Sequence, residues 1–535
     1  ALALLLAGVG TLLVIGCANL AHLSLADALA RRGEMSVRVA LGAGRARLLR
    51  GLAVESLLLA LVGGAVGLAA SWTVTPRVLA MDPDLARLAG PPSLDVRVTS
   101  FAVSVALAAG VLAGVLPALG RVRDAAPAAG SRRVTGDRRD RALRQALLAG
   151  EVALSLVLLS SGGVLVRTLS DLRRTDPGFQ PEGLLAAQVV LPGSRYTEAS
   201  ARTRLVDRVL ESLEGAPGVL AASTGMTRFA GRSSMQTMVQ VEGHVSERGD
   251  PDSAHFRRIS PGYLRTTGGR LRAGREFERT DREGTPLVAV VSESFARRYW
   301  PGQDALGRRL KRSTTAKEWT TVVGVVADAR DAGLGFDADA MVYVPYAQNS
   351  APGMAFAPVT FLVRTAGDPL LAAPLVRRAL AQADPELPLE APVRVTEALA
   401  ASLGPQRFQA MLLAGFALAG VLLAAAGLYG VTVHAVARQT REIGVRLALG
   451  ARAADVLRAV AGPALAAVAV GLVVGALAAR AGASLMAHVV AAGRGWDPLL
   501  LAAAAAALGL VALASTLLPA WRGVRLDPAV ALRED

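Results

Sequence analysis

The chain has 535 residues, 52% of them hydrophobic and 4% aromatic, with a mean hydropathy of +0.41 and a formal net charge of +15. Apolar content at this level, gathered into long uncharged runs, sets aside a soluble enzyme and reads as a membrane protein. Many arginines flank those runs, where positive charge stays with the anionic cytoplasmic leaflet, so the basic balance does not indicate nucleic-acid binding. The single cysteine, Cys17, lies inside an apolar run and leaves no disulfide framework or cysteine-based metal site.

Seven runs reach the roughly 20 residues that cross a bilayer. In chain order they are Ala1 to Ala26, Leu52 to Thr75, Val98 to Gly120, Gln145 to Val166, Phe408 to Ala437, Ala459 to Ala479 and Leu499 to Trp521. Only the second and fourth hold a formal charge, Glu55 and Glu151. Arginines cluster after the first run (Arg31 to Arg50), after the third (Arg121 to Arg144), after the fifth (Arg438 to Arg458) and in the tail. If every run crosses once, these four segments share one side, which the positive-inside rule makes the cytoplasm. The long segment 168–404 then lies outside.

That segment reads as a folded α+β domain. Leu184 to Leu191 is a strand ended by Pro192-Gly193, and Thr197 to Leu213 has helical spacing through Leu205, Val209 and Leu213. Leu287 to Ser292 is a strand running into a helix at Glu293–Tyr299. Thr320 to Val326, Met341 to Val344 and Val359 to Val363 are further strands, followed by a helix from 369 to 382. The alternation suggests two small α/β lobes. The expected fold is therefore an α-helical membrane protein, about seven spans in two repeated blocks, with an inserted extracytoplasmic α+β domain. Its segments are a three-span block at 1–125, a basic cytoplasmic linker at 126–144, a transmembrane helix at 145–167, the outside domain at 168–404, and a three-span block with a cytoplasmic tail at 405–535.

The blocks repeat. Residues 34–42 read EMSVRVALG and residues 442–450 read EIGVRLALG, an offset of 408. The same offset relates Leu49-Arg50 to Leu457-Arg458, and Gly63 and Gly67 to Gly471 and Gly475. Each block is a span, a cytoplasmic motif, a span, an outside loop and a span, so two halves can pair about a pseudo-twofold axis. In each motif Glu precedes Arg by four residues (Glu34/Arg38, Glu442/Arg446), the favourable orientation on a helix, and Gly42 or Gly450 stops the apolar turn. Each copy is expected to be a short amphipathic helix on the cytoplasmic face. Met35 and Val39, with their equivalents Ile443 and Leu447, can seat in a partner groove with Arg38 and Arg446 at its rim. The alternative is a helix lying on lipid.

At these residues the sequence resembles the FtsX-like/MacB-like permeases of ABC transporters, in the duplicated type. Cys17-Ala18-Asn19 leading to Glu34 is similar to the first-half motif, and Gly427-Leu428-Tyr429-Gly430 leading to TREIGVRLALGAR is similar to the second. Glu151 through Asp176-Pro177-Gly178-Phe179 resembles the lead into the MacB-type periplasmic core domain. Within it, Ser260-Pro261-Gly262-Tyr263-Leu264, Glu293 to Pro301 and Val323 to Asp328 look like family signatures. The resemblance implies that the motif helices couple to ABC ATPase subunits using ATP-Mg, that closure of the ATPase is passed through the spans to the outside domain, and that the protein lies in the bacterial cytoplasmic (inner) membrane. It implies efflux, with a periplasmic adaptor or outer-membrane channel as further partners, or else non-transporting regulation of a cell-envelope enzyme. The first block lacks the opening span and outside domain of this type, so the chain is expected to be a fragment or the product of a truncated gene.

No cofactor is expected on this chain. ATP binding needs a glycine-rich loop with a lysine on the phosphates, and neither Lys311 nor Lys317 follows a glycine. The ATPase is accordingly expected on a separate subunit. The five histidines show no ligand spacing, and no nucleophile elbow is present. Glu55 and Glu151 are candidates because intramembrane carboxylates are costly. Both sit near basic ends, where they can reach headgroups or pair with Arg50 or Arg144.

Overall fold

The computed structural model describes residues 2–30, 45–79, 95–111, 133–225, 235–244, 252–312, 318–330, 333–334, 340–348, 358–449, 451–489 and 496–524. The chain divides into two compact units, one of Ala1–Leu169 with Pro405–Asp535, the other Ser170–Gly404.

Inside a bilayer every backbone polar group must be satisfied within its own segment, so the Ala-, Leu- and Val-rich runs fold as helices. The first four are α1 (Leu2–Ala30), α2 (Arg45–Leu79), α3 (Val96–Gly110) and α4 (Arg133–Arg174). Helix α4 starts within the stretch expected as a linker, because Ala, Leu and Arg after Arg133 are strong helix formers.

The second unit follows. Its strands are β1 (Leu184–Val189), β2 (Val219–Gly225), β3 (Met235–Val241), β4 (Asp252–Ile259), β5 (Leu271–Gly274), β6 (Val288–Ser292), β7 (Arg309–Lys311), β8 (Thr320–Val326), β9 (Met341–Pro345), β10 (Val359–Thr365) and β11 (Val393–Arg394). Its longer helices are α5 (Ala199–Glu214) and α6 (Ala373–Ala383), and shorter ones span Tyr263–Thr267, Glu293–Tyr299 and Val395–Ala401. The strand order is β11-β1-β10-β2-β4-β3-β7-β8-β6-β9, and a parallel β4–β9 pairing closes the last six strands into a ring. Among the described residues two hydrophobic cores result. One packs α5 and α6 on β1, β2 and β10 through Leu205, Val209, Phe361 and Val376. The other fills the ring with Phe256, Phe295, Leu310 and Val342. Sheet register passes between them at one pair, Gly225↔Ile259, which Ser260 extends by donating its N–H to Thr224 O at 3.0 Å and accepting from Thr224 N–H at 2.9 Å.

The other quoted motifs of this unit hold its backbone. Gly178 takes φ 80°, and a Cβ there would stand 2.1 Å from the Asp328 carbonyl, so only glycine fits. The Asp328 carboxylate accepts from Ser294 N–H at 2.8 Å and Arg297 Nη2 at 2.9 Å. A cavity of about 20 Å³ beside Gly178, Tyr263 and Tyr343 has room for a water.

A buried polar tie closes the first core. The Tyr196 hydroxyl donates to Asp384, and Arg195 Nη2 stands 3.2 Å from the same carboxylate. Burial, reinforced by Asp384, pushes the Tyr196 phenol up to about 12, while the hydrogen bond from Tyr196 holds Asp384 below the usual carboxylate range. A carboxyl depressed in the fold contributes stability above its unfolded pKa of about 3.9 and loses it as pH falls through the lower folded value. Tyr196→Phe is expected to cost on the order of 1–3 kcal/mol at neutral pH and to move acid unfolding to higher pH. Tryptophan fluorescence against pH measures both.

The chain then forms α7 (Gly404–Ala448), α8 (Ala453–Val489) and α9 (Pro498–Val524). Among the described residues six helices, α1, α2, α4, α7, α8 and α9, are long and apolar enough to cross a membrane, and α3 is a shorter apolar helix. The rest of the expected third run, from 112 to 120, lies outside the described residues. Small residues set the close contacts, as is usual between helices in lipid. Gly110 of α3 lies on α2, where a Cβ would stand 2.8 Å from Ala60 Cβ. A Cβ on Gly471 of α8 would stand 2.5 Å from the Ala149 carbonyl of α4, and one on Gly475 would stand 2.8 Å from that of Ala153. Their repeat counterparts Gly63 and Gly67 have nothing within 4 Å among the described residues.

Candidate functional site

Two places in the membrane unit gather the motif residues. The first is the C-terminal end of α7. Of the expected coupling residues, Glu34, Met35, Arg38, Val39, Gly42 and Gly450 lie outside the described residues. Glu442, Ile443, Arg446 and Leu447 lie on α7, and the side chains of Glu442 and Leu447 are outside the described set. The second motif copy is not a separate short helix. Residues 438–441 (RQTR) contain no breaker, so the 45-residue α7 runs straight through to Ala448. Beyond it, Ala451 N–H donates to the Arg446 carbonyl at 2.9 Å and ends the helix.

Ile443 was expected to face a partner. It is instead 5% exposed, packed with Val436, Val456, Val460 and Ala520 from α7, α8 and α9. The physical reason is that α8 and α9 come back past this turn of α7 and cover that side of it. The outward residues are Arg446 with Val445 and Leu449, the last 83% exposed. Sequence reasoning missed Val445 and Leu449. Spacing could have found them, because 442, 445, 446 and 449 fall on one helical face.

The second place is a buried polar junction of α1, α4 and α7. Asn19 Nδ2 donates to Leu423 O at 2.7 Å. His22 Nδ1 is 3.5 Å from Glu151 Oε1, and His22 Nε2 is 3.3 Å from Arg144 O. Gly427 makes the room: a Cβ on it would stand 2.2 Å from Asn19 Oδ1 and 2.9 Å from Glu151 Oε2. Ser155, one turn after Glu151, donates to Gly420 O at 3.1 Å. The Cys17-Ala18-Asn19 and Gly427-Leu428-Tyr429-Gly430 motifs thus meet over Glu151. Glu151 was expected to reach headgroups or Arg144. The structure pairs it with His22, 129 positions away, a partnership that no local spacing signals. Glu55 is exposed on α2.

Among the described residues this architecture defines a class: a multi-pass membrane protein with a folded α+β unit inserted between its helices. A profile for the FtsX-like permease C-terminal family matches residues 6–124 and again 414–528, and one for the MacB-like periplasmic core domain matches residues 152–373. The chain belongs to the FtsX-like permeases of ABC transporters that carry a MacB-like periplasmic core domain.

Among curated proteins it is similar to the macrolide export ATP-binding/permease protein MacB of Syntrophobacter fumaroxidans, 36% identical over 126 residues, which cover 23% of this chain and 17% of the relative. It is also similar to the pyoverdine export ATP-binding/permease protein PvdT of Pseudomonas syringae pv. tomato, 27% identical over 274 residues, 49% of this chain and 40% of the relative. The chain spans less than half the length of these relatives. A solved structure of the periplasmic region of MacB from Actinobacillus actinomycetemcomitans aligns with 43% of this chain and 95% of its own, at 15% identity and a TM-score of 0.28.

Proposed function

We propose that this chain is the permease of an ABC exporter that works by mechanotransmission. The observation that carries the reading is the double family match, one copy on each side of the core-domain match. ATP hydrolysis by a nucleotide-binding partner acts on the two cytoplasmic motifs, and the helices pass the motion to the core domain on the other side of the membrane. ATP-Mg belongs to that partner. The names of two relatives carry different cargos, a macrolide and pyoverdine, so the proposal stops at export of a small molecule or peptide. A periplasmic adaptor and an outer-membrane channel are the further partners this scheme calls for, in a bacterial inner membrane.

The test is purification from native membranes, followed by reconstitution with whatever ATPase accompanies the chain. Hydrolysis that depends on the permease and drives cargo across the vesicle wall is the expected result. Hydrolysis that turns on an envelope hydrolase and moves no cargo would favour the regulatory alternative. An ATPase indifferent to the permease sinks both.

A further inference from the structure

Helices α1 and α7 meet at equivalent positions of the repeat. The offset of 408 makes Gly8 equivalent to Phe416, Ile15 to Leu423 and Asn19 to Gly427. The two permease matches begin at residues 6 and 414, the same offset apart. A Cβ on Gly8 would stand 2.9 Å from Phe416 Cδ2, and one on Gly427 would stand 2.2 Å from Asn19 Oδ1. Between these levels Ile15 and Leu423 share one apolar cluster, and Asn19 Nδ2 donates to the Leu423 carbonyl at 2.7 Å. Positions 8, 15 and 19 fall on one face of α1. Both members of each pair advance together along the chain, so the two helices run parallel. Around a twofold axis a residue meets its own equivalent only on the axis itself.

At each end of this seam a large residue faces a small one, and the large one changes sides. Phe416 of the second block fills the place left open by Gly8 of the first. Asn19 of the first block fills the place left open by Gly427 of the second. Gly8, Asn19 and Gly427 are buried and Phe416 is partly buried, so the fit is one of close packing. Blocks paired like with like would lose it. Two first blocks would set Gly8 against Gly8, leaving a void, and Asn19 against Asn19, where the present spacing leaves room for one side chain. Two second blocks would crowd Phe416 on Phe416 and take the Asn19 amide from the Leu423 carbonyl.

We infer that a pseudo-twofold axis runs between α1 and α7, and that the unequal pairs on it, Gly8 with Phe416 and Asn19 with Gly427, direct the first block to pack on the second and not on a like block of another copy. They are specificity-determining residues for a partner carried on the same chain, acting by fit in one pairing and by clash or void in the others. The inference stands apart from the proposed export function, since it needs neither ATPase nor cargo.

The test is a swap in the full chain, in lipid nanodiscs, with unfolding followed by the accessibility of the Cys17 thiol. Gly8→Phe crowds the seam and Phe416→Gly empties it. Each is expected to lower the folding equilibrium constant at least about tenfold. The double variant Gly8→Phe/Phe416→Gly moves the ring to its equivalent position across the axis. Its composition is that of the wild type, so helix propensity cancels to first order. It is expected to recover to within about threefold of the wild type. A double variant showing the product of the two single losses overturns the proposal, as do single variants as stable as the wild type. If neither single variant folds, a folded double variant supports the proposal and an unfolded one overturns it. The choice of partner is read separately, with Phe416→Cys in a chain carrying Cys17→Ser. Mild oxidation is expected to give no disulfide between copies, and a dimer joined at position 416 overturns the proposal.

Discussion

Gly471→Ala is expected to destabilise the protein by about 1–3 kcal/mol, while Gly63→Ala is neutral or stabilising by up to ~1 kcal/mol. The two positions are equivalent in sequence, each within the span that follows its motif. They differ in what a methyl group would touch. At Gly471 the new Cβ would stand 2.5 Å from a backbone oxygen, Ala149 O, and 2.8 Å from Val152 Cβ. A backbone atom has no rotamer to escape into, so α8 and α4 must separate and loosen the cluster that includes Leu148, Val152, Val468 and Leu508. At Gly63 the methyl meets nothing within 4 Å among the described residues, and alanine gains its helix propensity without cost. Cys17, a free and partly buried thiol, serves as the reporter: its rate of labelling against temperature in detergent gives the melting point of each variant. Equal melting points would show that the α4–α8 contact does not hold the unit together.

Arg446→Glu, and separately Leu449→Asp, is expected to abolish stimulation of the partner ATPase, with affinity for it falling at least about 30-fold and the fold unchanged. Arg446 lies exposed on the last turn of α7 and Leu449 exposed one residue past its end, whereas Ile443 is anchored inward on α8 and α9. A charge reversal at an exposed position costs the fold little, but at a docking rim it sets like charge against the acidic groups an arginine would meet. Ile443→Asp is the contrasting control and is expected to unfold this end of the helix, because it buries a charge among Val436, Val456 and Val460. ATP hydrolysis in proteoliposomes, with melting point alongside, separates the two effects. Wild-type stimulation by Arg446→Glu would mean that this end of α7 rests on lipid.

Much of the fold could be read from the sequence, because long apolar runs and period-2 strands leave strong signals. The helix at Glu293–Tyr299 and the strand at Thr320–Val326 fall where pattern placed them, and β1, β6 and β9 differ by a residue or two. Strands β2 and β4 were missed for physical reasons. The β2 sequence VLAASTG is built of small residues with no alternation of size, and β4 carries Arg257 and Arg258, both buried in place of the apolar residues that a strand pattern looks for. The site was legible in pieces. Asn19, Glu151 and Gly427 stood within segments singled out by resemblance, but their meeting is a property of three helices from distant parts of the chain. His22 looked like one of five scattered histidines until tertiary packing set it against Glu151.

The ring of six strands in the outer domain is threaded between β2 and β10, so both ends of its peptide return to the same neighbouring layer. A chimera that swaps residues 226–358 for those of a relative but keeps Tyr346, which packs in the first core, should leave that core and the membrane helices as they are.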